Sequence, residues 1–406
     1  MNRLIPSTTP FLSANTPAVS KLESLLYASL RPRITGIPDP PQAQHGINVP
    51  GVRIAILFSG GLDCSVLARL VHDLLPANEA VDLINVAFEN PRVHKLARDN
   101  PYEACPDRIT GRASFDELAT VCSDRQWRFL AVNVPYSETQ QHRPEIANLM
   151  HPHNTEMDLS IASALYFAAR GSGTLAWRSN PKPRAYTTSA RVLLSGLGAD
   201  ELFAGYTRHA TAFKRAGHVG LLDEIELDVG RLGKRNLGRD DRVISHWGRE
   251  ARFPFLDEEL VAWALSVPLT EKCDFGAEDT EVENDDDSRR LESGKKVLRC
   301  LAWRLGLKAA AAEKKRAVCL TFGISVLTDS CSPYLDTIWG PNREDGNWTN
   351  ERHASFVVIV VTVSSIVFLH SSLHVRDYEV DRYDHFTDTW EMRWIQHAFE
   401  ESCWAL

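Results

Sequence analysis

The sequence predicts an α/β protein: a parallel sheet with helices on both faces, followed by a mainly helical part. Three observations carry that expectation. Short, largely apolar runs recur at 53–58 (RIAILF), 81–88 (VDLINVAF), 128–134 (RFLAVNV) and 191–196 (RVLLSG), as strands covered on both faces require. Segments with apolar residues at helical spacing separate them, so strand and helix alternate, and alternation favours parallel pairing through right-handed crossovers. The first and the fourth of these strands both lead into a Ser-Gly turn.

The elements follow in order. Residues 17–30 (PAVSKLESLLYASL) read as a short amphipathic helix, and 31–51, rich in proline and glycine, as a linker. After the first strand, Val66, Leu67, Leu70, Val71, Leu74 and Leu75 fall on one helical face. Helices are expected at 115–127 and 155–170, the second with Ile161, Ala164, Leu165 and Ala168 on a stripe. Past residue 200, the clearest helices are 257–268 and 293–307, and the acidic run 277–287 reads as a solvated loop. The expected division is an N-terminal remnant and linker (1–50), a nucleotide-handling domain (51–317) and a tail (318–406).

Composition narrows the function. The 406 residues are 44% hydrophobic with a net charge of -8, so no basic excess exists to neutralise a nucleic acid. Eight cysteines include no CxxC pair, which leaves zinc spacing and a disulfide framework unsupported. The N-terminus lacks the basic start and apolar core of a secretory signal, and the expected location is the cytoplasm. Residues 354–373 have about the length of a membrane span. Their apolar core is short and valine-rich and suits a strand as well, and no membrane association is expected.

The stretch SGGLDCS (59–65) bears the chemistry. A glycine-rich turn between strand and helix aims backbone N–H groups and a positive helix end at an anion. Gly60 and Gly61 let backbone approach a phosphate, and Ser59 and Ser65 add hydroxyl donors. Asp63 would repel a phosphate unless a cation lies between, which points to Mg2+ bridging Asp63 and a pyrophosphate. A tight turn with Asp63 or Ser65 capping the helix accounts for the same residues. The turn is neither a Walker A loop nor GxGxxG.

SGGLDCS resembles the SGGxDS signature of the PP-loop ATP pyrophosphatases, with Cys64 where many members have serine. LLSGLGADELFAGY (193–206), REARFPFLDEELVAWALSVP (249–268) and GKKVLR (294–299) resemble, in the same order, the motifs of the asparagine synthetases. CPDRITGRASFDEL (105–118), PHNTEMDLSIASALYFAARG (152–171) and RNLGRDDRVISHWGREARFPFLD (235–257) are similar to one branch of that family. The resemblance implies ATP-dependent conversion of aspartate to asparagine through β-aspartyl-AMP. It implies that Phe58, Ala87, Ser195 and Gly196 line the nucleotide, and that Ser59, Gly60, Gly61 and Ser65 cradle pyrophosphate. Asp63 and Asp200 would hold Mg2+, and Lys295 would stabilise the charge of the reacting phosphorus; spacing alone reads Lys295 as an ordinary first-turn residue. Asp158 and Ser160 either face this site or start a helix, Asp257 is expected as an N-cap, and Glu201, Arg249 and Arg252 as ion-pair partners.

Three departures qualify what the resemblance implies. Position 197 is leucine where standard synthetases carry an acid, and leucine cannot move a proton. Full-length synthetases begin with a glutaminase domain built on an N-terminal cysteine, whereas this chain starts Met1-Asn2-Arg3 and its first cysteine is Cys64. The expected nitrogen source is free ammonia or a separate glutaminase partner. The resemblance is expected to stop at about Ala317, after which Val318-Cys319, encodable by GTATGT, is consistent with a retained intron or a shifted frame. Alternative readings are a catalytically weak relative acting as a binding or assembly protein, a tRNA-modifying PP-loop enzyme, for which a basic surface is missing, and another amide synthetase.

Overall fold

A computed structural model of the chain describes residues 1–4, 11–40, 51–91, 100–177, 180–277, 287–314, 361–362 and 365–366. The chain divides into two compact units, Met1–Cys331 and Ser332–Leu406. The first begins with α1 (Pro17–Ile34), β1 (Ile54–Leu57), α2 (Leu62–Leu74), β2 (Val81–Phe88), α3 (Pro106–Val121) and β3 (Trp127–Val134). It continues with α4 (Tyr136–Met150), α5 (Glu156–Arg170), β4 (Ser172–Trp177), β5 (Asn180–Thr187), β6 (Val192–Leu194) and α6 (Ala199–Leu202). Then come α7 (Thr207–Leu232), α8 (Gly238–Ser245), β7 (Glu250–Arg252), α9 (Glu258–Ser266), α10 (Lys296–Arg304) and α11 (Lys308–Ala312). Helix α7 is broken at Ala216 and Gly217, whose φ angles are -141° and 59°.

One seven-stranded sheet has the order β5-β4-β3-β2-β1-β6-β7. Strands β3, β2, β1, β6 and β7 are mutually parallel, while β4 runs against β3 and β5 against β4. The fold is therefore α/β with a mostly parallel sheet, as expected, plus an antiparallel hairpin at one edge. Successive residues of a strand face opposite sides. Accordingly Ile54 and Ile56 enter one core and Ala55 the other, and Val192 and Leu194 part in the same way from Leu193. The first core is closed by α1, α2, α3, α9, α10 and α11, the second by α4, α5 and α8. Both faces being dry, the strands read as continuous apolar runs.

The strand expected at 81–88 matches β2 residue for residue, and those at 53–58, 128–134 and 191–196 match β1, β3 and β6 within a residue or two at each end. Four features differ from expectation. Helix α3 starts at Pro106, earlier than 115, because proline at the first helical position opens the turn, and Trp127 belongs to β3. The β4–β5 hairpin was not expected, since β5 carries Pro181 and Pro183, tolerable only on an edge strand. Nor were α4 and the three-residue β7. The helix expected at 17–30 is α1, which runs on to Ile34, with Leu22, Leu26 and Leu30 wholly buried with α2 and α10 in the first core.

In the second unit the described residues form β8 (Val361–Thr362) and β9 (Ser365–Ile366), an antiparallel pair. The rest of 354–373, the acidic residues 278–286 and the expected junction at 317–318 lie outside the described residues. Among the described residues no helix is long and apolar enough to cross a membrane.

Candidate functional site

Strand β1 hands over to α2 through Ser59, Gly60 and Gly61, with Gly61 as the N-cap of the helix. Gly60 has φ +84°, and a Cβ there would lie 2.5 Å from the Cα and N of Gly111 in α3. The loop is thus pressed against a helix backbone that only glycine permits. Ser114, also on α3, donates to the Gly60 carbonyl at 2.6 Å. Cys64 is buried with its thiol donating to the Gly61 carbonyl at 3.2 Å, and burial pushes its pKa up to about 11. It is a neutral thiol and takes the serine position without adding charge.

The second loop follows β6, the strand hydrogen-bonded directly beside β1. Ser195 N–H donates to the Arg252 carbonyl at 3.0 Å, and its hydroxyl accepts from Leu197 N–H at 3.3 Å. Gly198 has φ +102° and stands where a Cβ would meet Leu256 Cδ2 at 2.4 Å. That turn starts α6 and presents Asp200. Because the chain runs from β1 towards β3 on one side and from β6 to β7 on the other, the two loops flank a topological switch point, where open α/β sheets leave a crevice.

Lys295 joins the loops. It precedes α10 in the left-handed region (φ 55°), its N–H donating to the Phe203 carbonyl at 2.8 Å. Ala204 next to that carbonyl also has positive φ, 58°. Two non-glycine residues held so cost of order 1–3 kcal/mol each, a strain found where a side chain must be aimed. Lys295 Nζ lies 2.8 and 2.7 Å from the two carboxylate oxygens of Asp63 and 2.8 Å from Asp200 Oδ1. Burial opposes the ammonium charge, but Asp200 and Asp63 outweigh it and the lysine pKa is raised.

The two carboxylates therefore converge on one cationic point from separate strand-end loops. Among the described residues no group of three or more His, Cys, Asp or Glu could hold a metal. A two-carboxylate site suits a magnesium ion that takes its remaining ligands from water and phosphate. The buried Ser65 hydroxyl, one turn into α2, has no hydrogen-bond partner among the described residues, as a donor kept for an anion would. The residues present fit Mg2+ with a polyphosphate.

Beside this cluster opens a cleft of about 200 Å³. Of the residues assigned from sequence, Phe58, Ser59, Gly61, Asp63, Ser195 and Gly196 line it. Gly60, Ser65 and Ala87 are buried and not on its wall. In β2 the lining falls to Ile84, Asn85 and Val86 instead of Ala87. Ala164, Leu165 and Ala168 of α5 complete an apolar side. Asp200 and Lys295 reach the cleft through Asp63.

The remaining expectations resolve variously. Asp257 caps α9, accepting from Glu259 N–H at 3.1 Å. Asp158 starts α5 with Thr155 and pairs with buried Arg239; neither it nor Ser160 is on the cleft wall. Arg252 pairs with Glu250 at 2.8 Å. Arg249 instead donates to the carbonyls of Ala169, Arg170, Thr188 and Ala190, and Glu201 accepts from the Tyr206 phenol at 2.7 Å. Burial and then Asp200 hold the Glu201 carboxyl above its ordinary pKa. Sequence reasoning missed Asn85 and Asp107, both on the cleft wall. The one usable signal was a lone asparagine in the middle of VDLINVAF.

A family model described as asparagine synthase matches residues 184–223 and 214–345. The chain carries an asparagine synthase domain. The second matched segment passes Ala317, where the sequence resemblance was expected to end. The chain is 41% identical over 292 residues to the mouse protein called asparagine synthetase domain-containing protein 1, covering 65% of this chain and 44% of that one. The human protein of that name is 40% identical over 296 residues, again 65% and 44%. A putative glutamine-hydrolysing asparagine synthetase of Methanocaldococcus jannaschii is 50% identical over 82 residues, 20% of this chain and 15% of its own. The chain thus spans less than half the length of these relatives.

Proposed function

We propose that this asparagine synthase domain binds ATP with Mg2+ and activates a carboxylic acid, aspartate, for amide formation. A carboxylate is a poor electrophile. An aspartate side-chain oxygen attacks the α-phosphorus, pyrophosphate leaves, and the product is β-aspartyl-AMP. Ammonia then attacks the acyl carbon and AMP leaves, giving asparagine. Magnesium, where bound, offsets the negative charge of the polyphosphate.

The chain's own groups have separable tasks. Ser59, Gly60, Gly61 and Ser65 offer donors to the departing pyrophosphate at the positive end of α2. Phe58, Ser195 and Gly196 hold the nucleoside, with Ala87 behind Val86. Asp63 and Asp200 hold the metal, and the Lys295 ammonium stabilises charge on the reacting phosphorus. The carrying observation is the meeting of Asp63, Asp200 and Lys295 within 2.8 Å beside the cleft. Nitrogen would come as free ammonia or from a glutaminase.

Half-buried Leu197 favours a second reading, a nucleotide-binding protein with little turnover, since a leucine side chain at that position has no carboxylate to aid adenylation. Pyrophosphate release with ATP, aspartate and ammonium separates the two. Turnover well above an Asp63→Ala control supports the synthetase, and ATP binding without release supports the second reading.

A further inference from the structure

Asp107 lies in the first turn of α3 and on the wall of the cleft, a carboxylate in a place otherwise suited to a polyanion. Its mount is rigid. The buried Asn85 amide donates to the Asp107 carbonyl at 3.0 Å and to the Phe58 carbonyl at 2.9 Å. Asn85 Oδ1 in turn accepts from Arg108 Nε at 2.6 Å. Arg108 is wholly buried and bonds also to Glu103 and Asn133 at 2.9 and 2.8 Å. One turn further on, Gly111 touches the Gly60 loop. Asp107 is therefore fixed to the segment that precedes the phosphate loop.

Among the described residues Asp107 does not join Asp63 and Asp200 in a three-ligand group. A carboxylate accepts hydrogen bonds and repels phosphate, so its partner in a nucleotide must be a donor away from the phosphates. ATP offers two such donors, the adenine 6-amino group and the ribose diol, and the diol is the one nearer the phosphates, as Asp107 is next to the segment that leads into the phosphate loop. We infer that Asp107, clamped by Asn85 and Arg108 at the cleft wall, accepts hydrogen bonds from the ribose hydroxyls and makes the site selective for ribonucleotides. The inference rests on the nucleotide reading above.

Calorimetric titration of the full chain tests it, using the magnesium complexes of ATP, 2′-deoxyATP, 3′-deoxyATP and ITP. The wild type should bind ATP about tenfold or more tightly than one or both deoxy forms, the worth of a charged hydrogen bond. Asp107→Ala should bring ATP to the deoxy level, Asp107→Asn should fall between, and the ATP-to-ITP ratio should hold. These ratios do not move with the folded fraction of a preparation. An unchanged ribose preference in Asp107→Ala overturns the inference, as does a change confined to the ATP-to-ITP ratio, which would place Asp107 at the base. Failure of the wild type to bind any of the four overturns the nucleotide reading itself.

Discussion

Gly205 shows how little room surrounds the charged cluster. A Cβ there would sit 2.1 Å from Lys295 Cε and 2.3 Å from Asp200 Oδ1. Gly205→Ala is therefore expected to push the lysine off the carboxylates and cut pyrophosphate release by on the order of a hundredfold, the scale of a 1 Å misplacement in a reacting site. Unchanged release in a steady-state assay would mean that Lys295 does not need this position. Asp240 offers a test of a different kind. Burial, against Arg239 and with Asp158 nearby, raises its pKa to about 6 from an ordinary 3.8. The folded state then holds a proton that the unfolded chain has released. The stabilisation from this proton is complete below pH 3.8 and is lost as pH rises through about 6. Asp240→Asn should flatten the stability profile across that window by on the order of 3 kcal/mol, read as the difference between wild-type and variant urea melts at each pH. At this scale the motif residues were legible because their types in that order serve few other purposes. Asn85 and Asp107 were not, since a polar side chain in a strand or first turn shows its partners only when the elements meet.

Elements set the geometry of the phosphate loop. Helix α3 lies so close that Gly111 has no space for a methyl group: its Cβ would come 2.5 Å from Asn85 Nδ2. Gly111→Ala should destabilise the fold by roughly 1–3 kcal/mol through overpacking. It should also weaken ATP binding, because Asn85 supports the loop through the Phe58 carbonyl. A urea midpoint equal to wild type would show that the helix can back away without cost. The helix itself was only half readable. FDELATV at 115–121 had the right spacing, whereas 106–114, with Pro106 and Gly111, carried no helix assignment and form its first turns because Pro106 opens the helix. The β4–β5 hairpin was hidden for a related reason, as prolines argue against a strand unless an unpaired edge is available.

At the scale of the molecule, α1 closes the first core. Leu22, Leu25, Leu26 and Leu30 are buried there, each worth about 1.5–3 kcal/mol. Their sum is comparable to the whole stability of an ordinary domain. Deleting residues 1–40 should give insoluble or non-cooperatively melting protein, and a soluble product with a sharp circular-dichroism melt would make α1 dispensable. Alternating apolar runs settled on their own that the chain is a helix-covered, mainly parallel sheet, because burial on both faces leaves a local signature. The two Ser-Gly turns likewise marked both strand ends as candidates for anion binding from residue types alone. Strand order left no such mark: only folding decided that β6 pairs with β1 across a switch point, and so brings Asp63, Asp200 and Lys295, far apart along the chain, to one spot. Long-range pairing depends on how whole elements pack, and no window of neighbouring residues contains that information.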